Sequence, residues 1–150
     1  MTTVEKIAVF PGSFDPMTTG HLDMLRRAMP LFDKIVVAVG INTGKRCFQP
    51  LDDRIGNIRR AVADMQRVDV CSYDCLTTDL CRKLGARFIL RGVRDNADFG
   101  YERKIADINR LVAPDIETVI LLATPEQATV SSTMVRELSS FGHDVSQWLA

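Results

Sequence analysis

Ile7-Ala8-Val9-Phe10-Pro11-Gly12-Ser13-Phe14-Asp15-Pro16-Met17-Thr18-Thr19-Gly20-His21 starts with a strand-like apolar run, crosses a Pro- and Gly-rich turn and enters a helical period. Gly12 lets the backbone come close to a ligand, and Ser13 places a hydroxyl beside it. Gly20 permits a similar approach at the helix start, where free N–H groups and the helix dipole favour an anion. His21 falls in the first turn with a ring N–H aimed at the same place. Neither G-x-G-x-x-G nor G-x-x-x-x-G-K-[ST] is present, which weakens the dinucleotide and P-loop readings. On this stretch alone, an anion-binding turn and a plain surface turn with a polar histidine stay equal alternatives.

Outward from it, short apolar runs alternate with longer stretches of helical period. Ile35–Val39 reads as a second strand, apolar on both faces and so central. Residues 68–71 alternate and belong nearer an edge, while residues 88–90 and 119–122 complete five strands. Apolar stripes at helical spacing lie between and after them: Leu22, Leu25 and Met29; Ile55, Ile58, Val62 and Met65; Leu76, Leu80 and Leu84; Tyr101, Ile105, Ile108 and Leu111; Met134, Leu138 and Phe141. Each is expected to be a core face. Alternating β and α elements predict a doubly wound α/β fold, a five-stranded parallel sheet with helices on both faces. No repeat or linker divides the chain, so residues 1–150 are expected to form one domain. Ligands in such sheets bind beyond the carboxyl ends of the strands, which points to residues 11–20, 40–50, 72–76, 91–97 and 123–132.

Composition narrows the function classes. Nineteen Lys and Arg balance nineteen Asp and Glu, against a general nucleic-acid coat or a polybasic membrane binder. With 46% hydrophobic and 25% charged residues the chain is of ordinary globular composition. It has no bilayer-length apolar run and its start lacks a signal-peptide core, so a cytoplasmic location is expected. Cys47, Cys71, Cys75 and Cys81 show no C-x-x-C spacing, and only His21 and His143 could join them; reduced thiols are expected, and no metal site.

The strand ends carry the chemistry. Thr43-Gly44-Lys45-Arg46 follows the second strand with a flexible cation. Arg91-Gly92-Val93-Arg94 is read as following the fourth, with two guanidiniums around a glycine. Val130-Ser131-Ser132-Thr133 follows the fifth and opens the last helix with three hydroxyls. Such groups converging on one face suit an anionic, phosphate-bearing ligand. No Ser–His–Asp set, Cys–His pair or paired carboxylates stand out, so phosphoryl or nucleotidyl transfer fits best, being a matter of positioning and charge. Asp98-Phe99-Gly100 spells the kinase triplet, but the other kinase motifs are missing. Phe99 and Tyr101 are expected to pack beside the Arg91 segment. Glu102, read as lying near a helix start, is open between a solvated cap and a ribose or adenine contact.

The first motif resembles the P-G-[ST]-F-D-P…T-x-G-H signature of the nucleotidylyltransferase superfamily. Lys45, Arg91-Gly92-Val93-Arg94, Ala97-Asp98-Phe99, Tyr101-Glu102, Asn109-Arg110 and Val130-Ser131-Ser132-Thr133 follow in order. From about residue 6 to residue 149 the chain is similar to the bacterial phosphopantetheine adenylyltransferases. The resemblance implies transfer of adenylyl from ATP, with magnesium, to 4′-phosphopantetheine, giving dephospho-coenzyme A and pyrophosphate, the penultimate step of coenzyme A synthesis. It implies a homohexamer and coenzyme A as a feedback ligand.

It also implies site roles. Ser13 and Phe14 would meet ATP, with Ser13 near the pantetheine phosphate too, and His21 would donate to the α-phosphate. Lys45 and Arg91 would hold the acceptor phosphate, making His21, Lys45 and Arg91 the catalytic set. Gly92, Val93, Arg94 and Glu102 would contact ATP, as would Gln127, Ala128, Thr129 and Val130. Ser131, Ser132 and Thr133 would receive its β- and γ-phosphates. Leu76, Thr77 and Asn109 would line the pantetheine arm. Departures from the commoner pattern are Ser13 for Thr, Thr77 for Met, Gln127 for an aromatic, and no further helix after Trp148. Rival readings are a nicotinamide mononucleotide adenylyltransferase, which shares a Ser131-Ser132-Thr133…Arg136 element, and a non-catalytic nucleotide- or coenzyme A-binding regulator.

Overall fold

The structure, a computed structural model, describes residues 2–44 and 46–150. Its strands are β1 (Ile7–Gly12), β2 (Lys34–Gly40), β3 (Val68–Tyr73), β4 (Phe88–Val93) and β5 (Glu117–Leu122). They alternate with helices α1 (Thr19–Ala28), α2 (Leu51–Ala61), α3 (Thr77–Leu84), α4 (Asn96–Val112) and α5 (Ser132–Ser140), and short 3-10 turns cover Met29–Leu31 and Ser146–Trp148. All strand pairs are parallel, in the order β3-β2-β1-β4-β5. The expected doubly wound sheet is present. The chain winds outward from β1 to β3, then restarts beyond β1 at β4, so the loops after β1 and β4 part at a switch point.

β2 is interior, as its apolar faces predict, but β1 is the middle strand; β3 lies on an edge as expected. Helices cover both faces. Phe10, Leu25, Val37, Val39, Ile58 and Leu90 pack in one buried cluster under α1 and α2, and Val9, Ala38, Leu80, Cys81 and Ile89 in another under α3. Each large apolar side chain so buried contributes about 2 kcal/mol.

Helix ends follow from local chemistry. Thr18 and His21 form a capping box on α1, Asp95 caps α4 through the N–H of Asp98, and Ser131 caps α5 through that of Met134. α3 stops at Gly85, whose φ of 69° is left-handed and suits glycine.

Several apolar stripes are not wholly core. Tyr101, Ile105, Ile108 and Leu111 are exposed, Leu111 at 85%, and the one buried residue within α4 is Glu102. Periodicity shows that a helix has an apolar face, not which surface meets it. Leu76 and Phe141 are exposed at the two ends of their helices. Val62 and Met65 lie beyond α2 and Met29 in the following 3-10 turn, though all three still pack on the core.

Candidate active site

Three strands run farther than their apolar cores. β1 continues through Pro11 and Gly12, β3 through Tyr73 and β4 through Arg91, Gly92 and Val93. Arg91 is therefore not a loop residue, and the loops begin later than expected. Ladder bonds tie its main chain opposite Ile120. Two cavities open at this edge. One, of about 320 Å³, is lined by residues of the 10–14 turn, His21, residues 91–94 and the start of α5. The other, of about 480 Å³, lies between Tyr73–Thr77 and α4, where Tyr101, Ile105 and Asn109 form a wall. Pro11, Gly12, Ser13, Arg91 and Glu102 line both.

His21 is held by the turn that precedes it. The Thr18 main-chain N–H donates to Nδ1 at 3.0 Å, and the Thr18 hydroxyl lies 3.1 Å from the same nitrogen. Nδ1 is thus an acceptor, so the neutral ring carries its proton on Nε2. Phe10 and Phe14 meet the imidazole edgewise, Phe14 with centroids 5.1 Å apart. Burial, then the charges of Arg91 and Arg94, lower its pKa to about 4. The result is a fixed neutral donor.

Arg91 faces Glu102. Its Nε and Nη2 donate to the two carboxylate oxygens at 2.8 and 2.6 Å, and Nη1 donates to the Pro11 carbonyl at 2.6 Å. Burial works against the charge, but the Glu102 fork outweighs it and raises the Arg91 pKa above its ordinary value. The cap reading of Glu102 needs correction. α4 begins at Asn96, nearly two turns earlier, so Glu102 is not at the helix start, and at 6% exposure it is no solvated cap. Its oxygens meet the Arg91 guanidinium, and the residue lines both cavities. Arg94 pairs with Asp98 at 2.9 Å. Tyr101 lies beside Arg91 in the second cavity, whereas Phe99 is exposed and lines neither.

The hydroxyls at the start of α5 are unequal. Ser131 caps the helix, and Ser132 donates to the Pro16 carbonyl at 2.7 Å. The Thr133 hydroxyl accepts from Arg136 at 3.2 Å. The main-chain N–H groups of Ser132 and Thr133 stand in the first turn, where no helical partner exists, and they serve an anion better than the Ser132 hydroxyl. Gln127 and Val130 line the first cavity, with the Gln127 amide oxygen accepting from Thr19 at 2.9 Å. Ala128 and Thr129 do not line it. Phe14, at φ 46°, turns its ring inward against Phe10 and His21, leaving Ser13 exposed at the mouth. Leu76, Thr77 and Asn109 come together in the second cavity, where the Thr77 and Tyr73 hydroxyls lie 2.9 Å apart. Lys45 lies outside the described residues.

Three supporting residues have no site role in the sequence reading, although Asp15 and Arg136 stand within its motifs. Asp15 is buried, and its carboxylate accepts the main-chain N–H groups of Phe48 and Gln49 at 2.7 and 2.8 Å. Arg54, 4% exposed, donates to the Ser13 and Gln49 carbonyls and to Cys47 Sγ. Arg136 lines the first cavity and donates to the Asp15 carbonyl at 2.8 Å. Together they tie the 13–16 turn to the segment after β2 and to α5. The motifs name Asp15 and Arg136 but not their partners, and Arg54 carries no local signal.

A parallel sheet with an anion-binding helix start and a histidine donor at its switch point has the architecture of a nucleotidylyltransferase. The cytidylyltransferase-like family model matches residues 9–138, and the chain belongs to that family. A phosphopantetheine adenylyltransferase of Leuconostoc citreum is 49% identical over 138 residues, 92% of this chain and 87% of that protein. One from Phocaeicola vulgatus is 48% identical over 142 residues, covering 95% and 93%. Within the family, the chain sits among the phosphopantetheine adenylyltransferases. A bifunctional NMN adenylyltransferase/ADP ribose pyrophosphatase from Francisella tularensis shares the fold with a TM-score of 0.72 at 17% identity, over 97% of this chain and 45% of that one.

Proposed function

We propose that the protein, as a single domain of residues 1–150, catalyses adenylyl transfer from ATP to 4′-phosphopantetheine, forming dephospho-coenzyme A and pyrophosphate. The observation that carries this reading is the pair of adjoining cavities sharing Arg91, Gly12 and Ser13. One offers an anion-binding helix start, the other a longer groove between Tyr73–Thr77 and α4. Near-full-length relatives named for this enzyme favour it over a nicotinamide mononucleotide acceptor or a non-catalytic regulator.

In this mechanism ATP lies in the first cavity, its β- and γ-phosphates at the start of α5 near Arg136. The acceptor's phosphate is held by Arg91, with Lys45 as its second expected ligand, while Leu76, Thr77 and Asn109 line the pantetheine arm in the second cavity. An oxygen of that phosphate attacks the α-phosphorus in line, and the bond from that phosphorus to the bridging oxygen breaks. Pyrophosphate leaves with the electron pair. The nucleophile is already ionised near neutrality, so no general base is needed. His21 Nε2–H donates to the α-phosphate as charge builds in the transition state. Magnesium enters as part of Mg-ATP. The acids lining the first cavity, Asp98 and Glu102, are already paired with arginines, so phosphate oxygens and water would hold the ion.

A cytoplasmic location and a homohexamer accompany this reading; Ile108 and Leu111, exposed on α4 outside both cavities, are apolar surface that an assembly would cover. No helix among the described residues is long and apolar enough to cross a membrane. The decisive assay is pyrophosphate release from Mg-ATP with 4′-phosphopantetheine, beside nicotinamide mononucleotide and a no-acceptor control. Release that depends on phosphopantetheine is expected. Release only with the mononucleotide would change the acceptor, and none at all, with ATP or coenzyme A still bound, would favour the regulator.

A further inference from the structure

Arg54, on the first turn of α2, is 4% exposed, and no ion pair among the described residues gives it a carboxylate. A guanidinium taken out of water is costly unless its N–H groups find acceptors. This one finds them on two separate segments. Nη1 donates to the Ser13 carbonyl at 2.8 Å, Nε to the Gln49 carbonyl at 3.1 Å and Nη2 to Cys47 Sγ at 3.4 Å. The first belongs to the turn after β1, and the other two to the segment after β2 that carries Lys45. Gln49 is gripped twice, since its N–H donates to Asp15 at 2.8 Å while its carbonyl meets Arg54. The bond to the Ser13 carbonyl fixes the peptide plane that follows Ser13. Ser13 lines both cavities, whereas Arg54 lines neither.

We infer that Arg54 is a positioning residue: it sets the separation between Ser13 and the segment of Lys45, so that both meet the acceptor's phosphate, and itself touches neither substrate. That target rests on the proposed reading in which Ser13 and Lys45 lie at this phosphate. A lysine at position 54 carries all its donors on one atom and cannot span three acceptors set around a planar fork. ATP keeps its expected contacts at the start of α5, at Arg94 and at His21, none of which Arg54 touches, so the loss falls on the acceptor.

The test is steady-state kinetics on Arg54→Lys and Arg54→Met, varying each substrate in turn, with thermal melts and amide hydrogen exchange alongside. Arg54→Lys keeps the buried charge without the fork, and Arg54→Met fills the space without the charge, so if one fails to fold the other decides. Each is expected to raise KM for 4′-phosphopantetheine about tenfold, leaving KM for ATP within about threefold. Exchange at the Phe48 and Gln49 amides, both bonded to Asp15, should quicken about tenfold, and by more than at Val9 and Val37 in the core strands. That difference separates a loosened segment from a protein merely less stable. A rise in KM for ATP equal to that for the acceptor overturns the inference. Wild-type turnover of 4′-phosphopantetheine with an unmoved acceptor KM in the folded variants also overturns it, and leaves the proposed reading standing. If the wild type turns over only another acceptor, that reading fails and the inference fails with it.

Discussion

The main-chain N–H of Thr18 donates to Nδ1 of His21 at 3.0 Å, so the residue that caps α1 also decides which nitrogen of the catalytic candidate carries the proton. A backbone donor cannot be lost by side-chain substitution, and Nε2–H stays the free donor. Charge on the α-phosphate grows in the transition state, so this bond strengthens there more than in the ground state. His21→Ala is expected to lower kcat by about a hundredfold with KM for ATP nearly unchanged. Equal losses in kcat/KM arising from KM alone would remove His21 from the chemistry.

The same histidine makes stability pH-dependent in a defined window. Its pKa is 6.5 in the unfolded chain and about 4 in the fold, held down by burial and by Arg91 and Arg94. Between those values the unfolded chain binds a proton that the folded protein does not, so stability falls as pH drops from 6.5 toward 4 and rises on the way back. The contribution is on the order of 2 kcal/mol, allowing for solvent that reaches the ring through the cavity. Urea midpoints measured across pH 4–7 should show this slope, and His21→Gln should flatten it. An unchanged slope in that variant would place the titration elsewhere.

Asp15 supports a different prediction. Its carboxylate satisfies two main-chain N–H groups of the segment after β2 while its own carbonyl accepts from Arg136. Asp15→Ala would leave both N–H groups without that acceptor in a part-buried place. A loss of about 3 kcal/mol of unfolding free energy is expected by urea denaturation, together with a raised KM for the acceptor, whose expected ligand Lys45 stands in the same segment. A loss below about 0.5 kcal/mol would show that water replaces the carboxylate there.

These examples mark what a sequence can reveal. Strand and helix alternation was legible because buried parallel strands must be continuously apolar, as in residues 35–39, and the helices between them need a 3.6 period. The meeting of Arg91 and Arg94 with the start of the last helix was legible because topology sends all such strand ends to one edge. The α4 stripe was misread because an apolar helical face has the same pattern whether it meets a core, a ligand groove or solvent. The Arg91 partner of Glu102 stayed unseen because it is eleven residues away on a neighbouring strand, a distance no local spacing encodes. The bonds of Asp15 to Phe48 and of Arg54 to Ser13 stayed invisible for the same reason, since they join segments thirty or more residues apart.

Gly92 gives the last prediction. It lies inside β4 with Leu121 of β5 as its ladder partner, and it lines the first cavity. A Cβ added there would lie 2.6 Å from the terminal methyl of Met24, a buried residue on α1. Methionine is flexible, so the methyl can swing aside, but the helix that carries His21 is packed by that side chain. Gly92→Ala is expected to lower stability by about 1–2 kcal/mol, the usual cost of an extra methyl in a filled site. Because a displaced Met24 methyl also enters the cavity, KM for ATP should rise while KM for the acceptor stays near its starting value. Adding Met24→Leu, which shortens the side chain, should recover both stability and ATP affinity. If it recovers stability alone, Gly92 contacts the nucleotide directly through its backbone, and the steric route through Met24 is wrong.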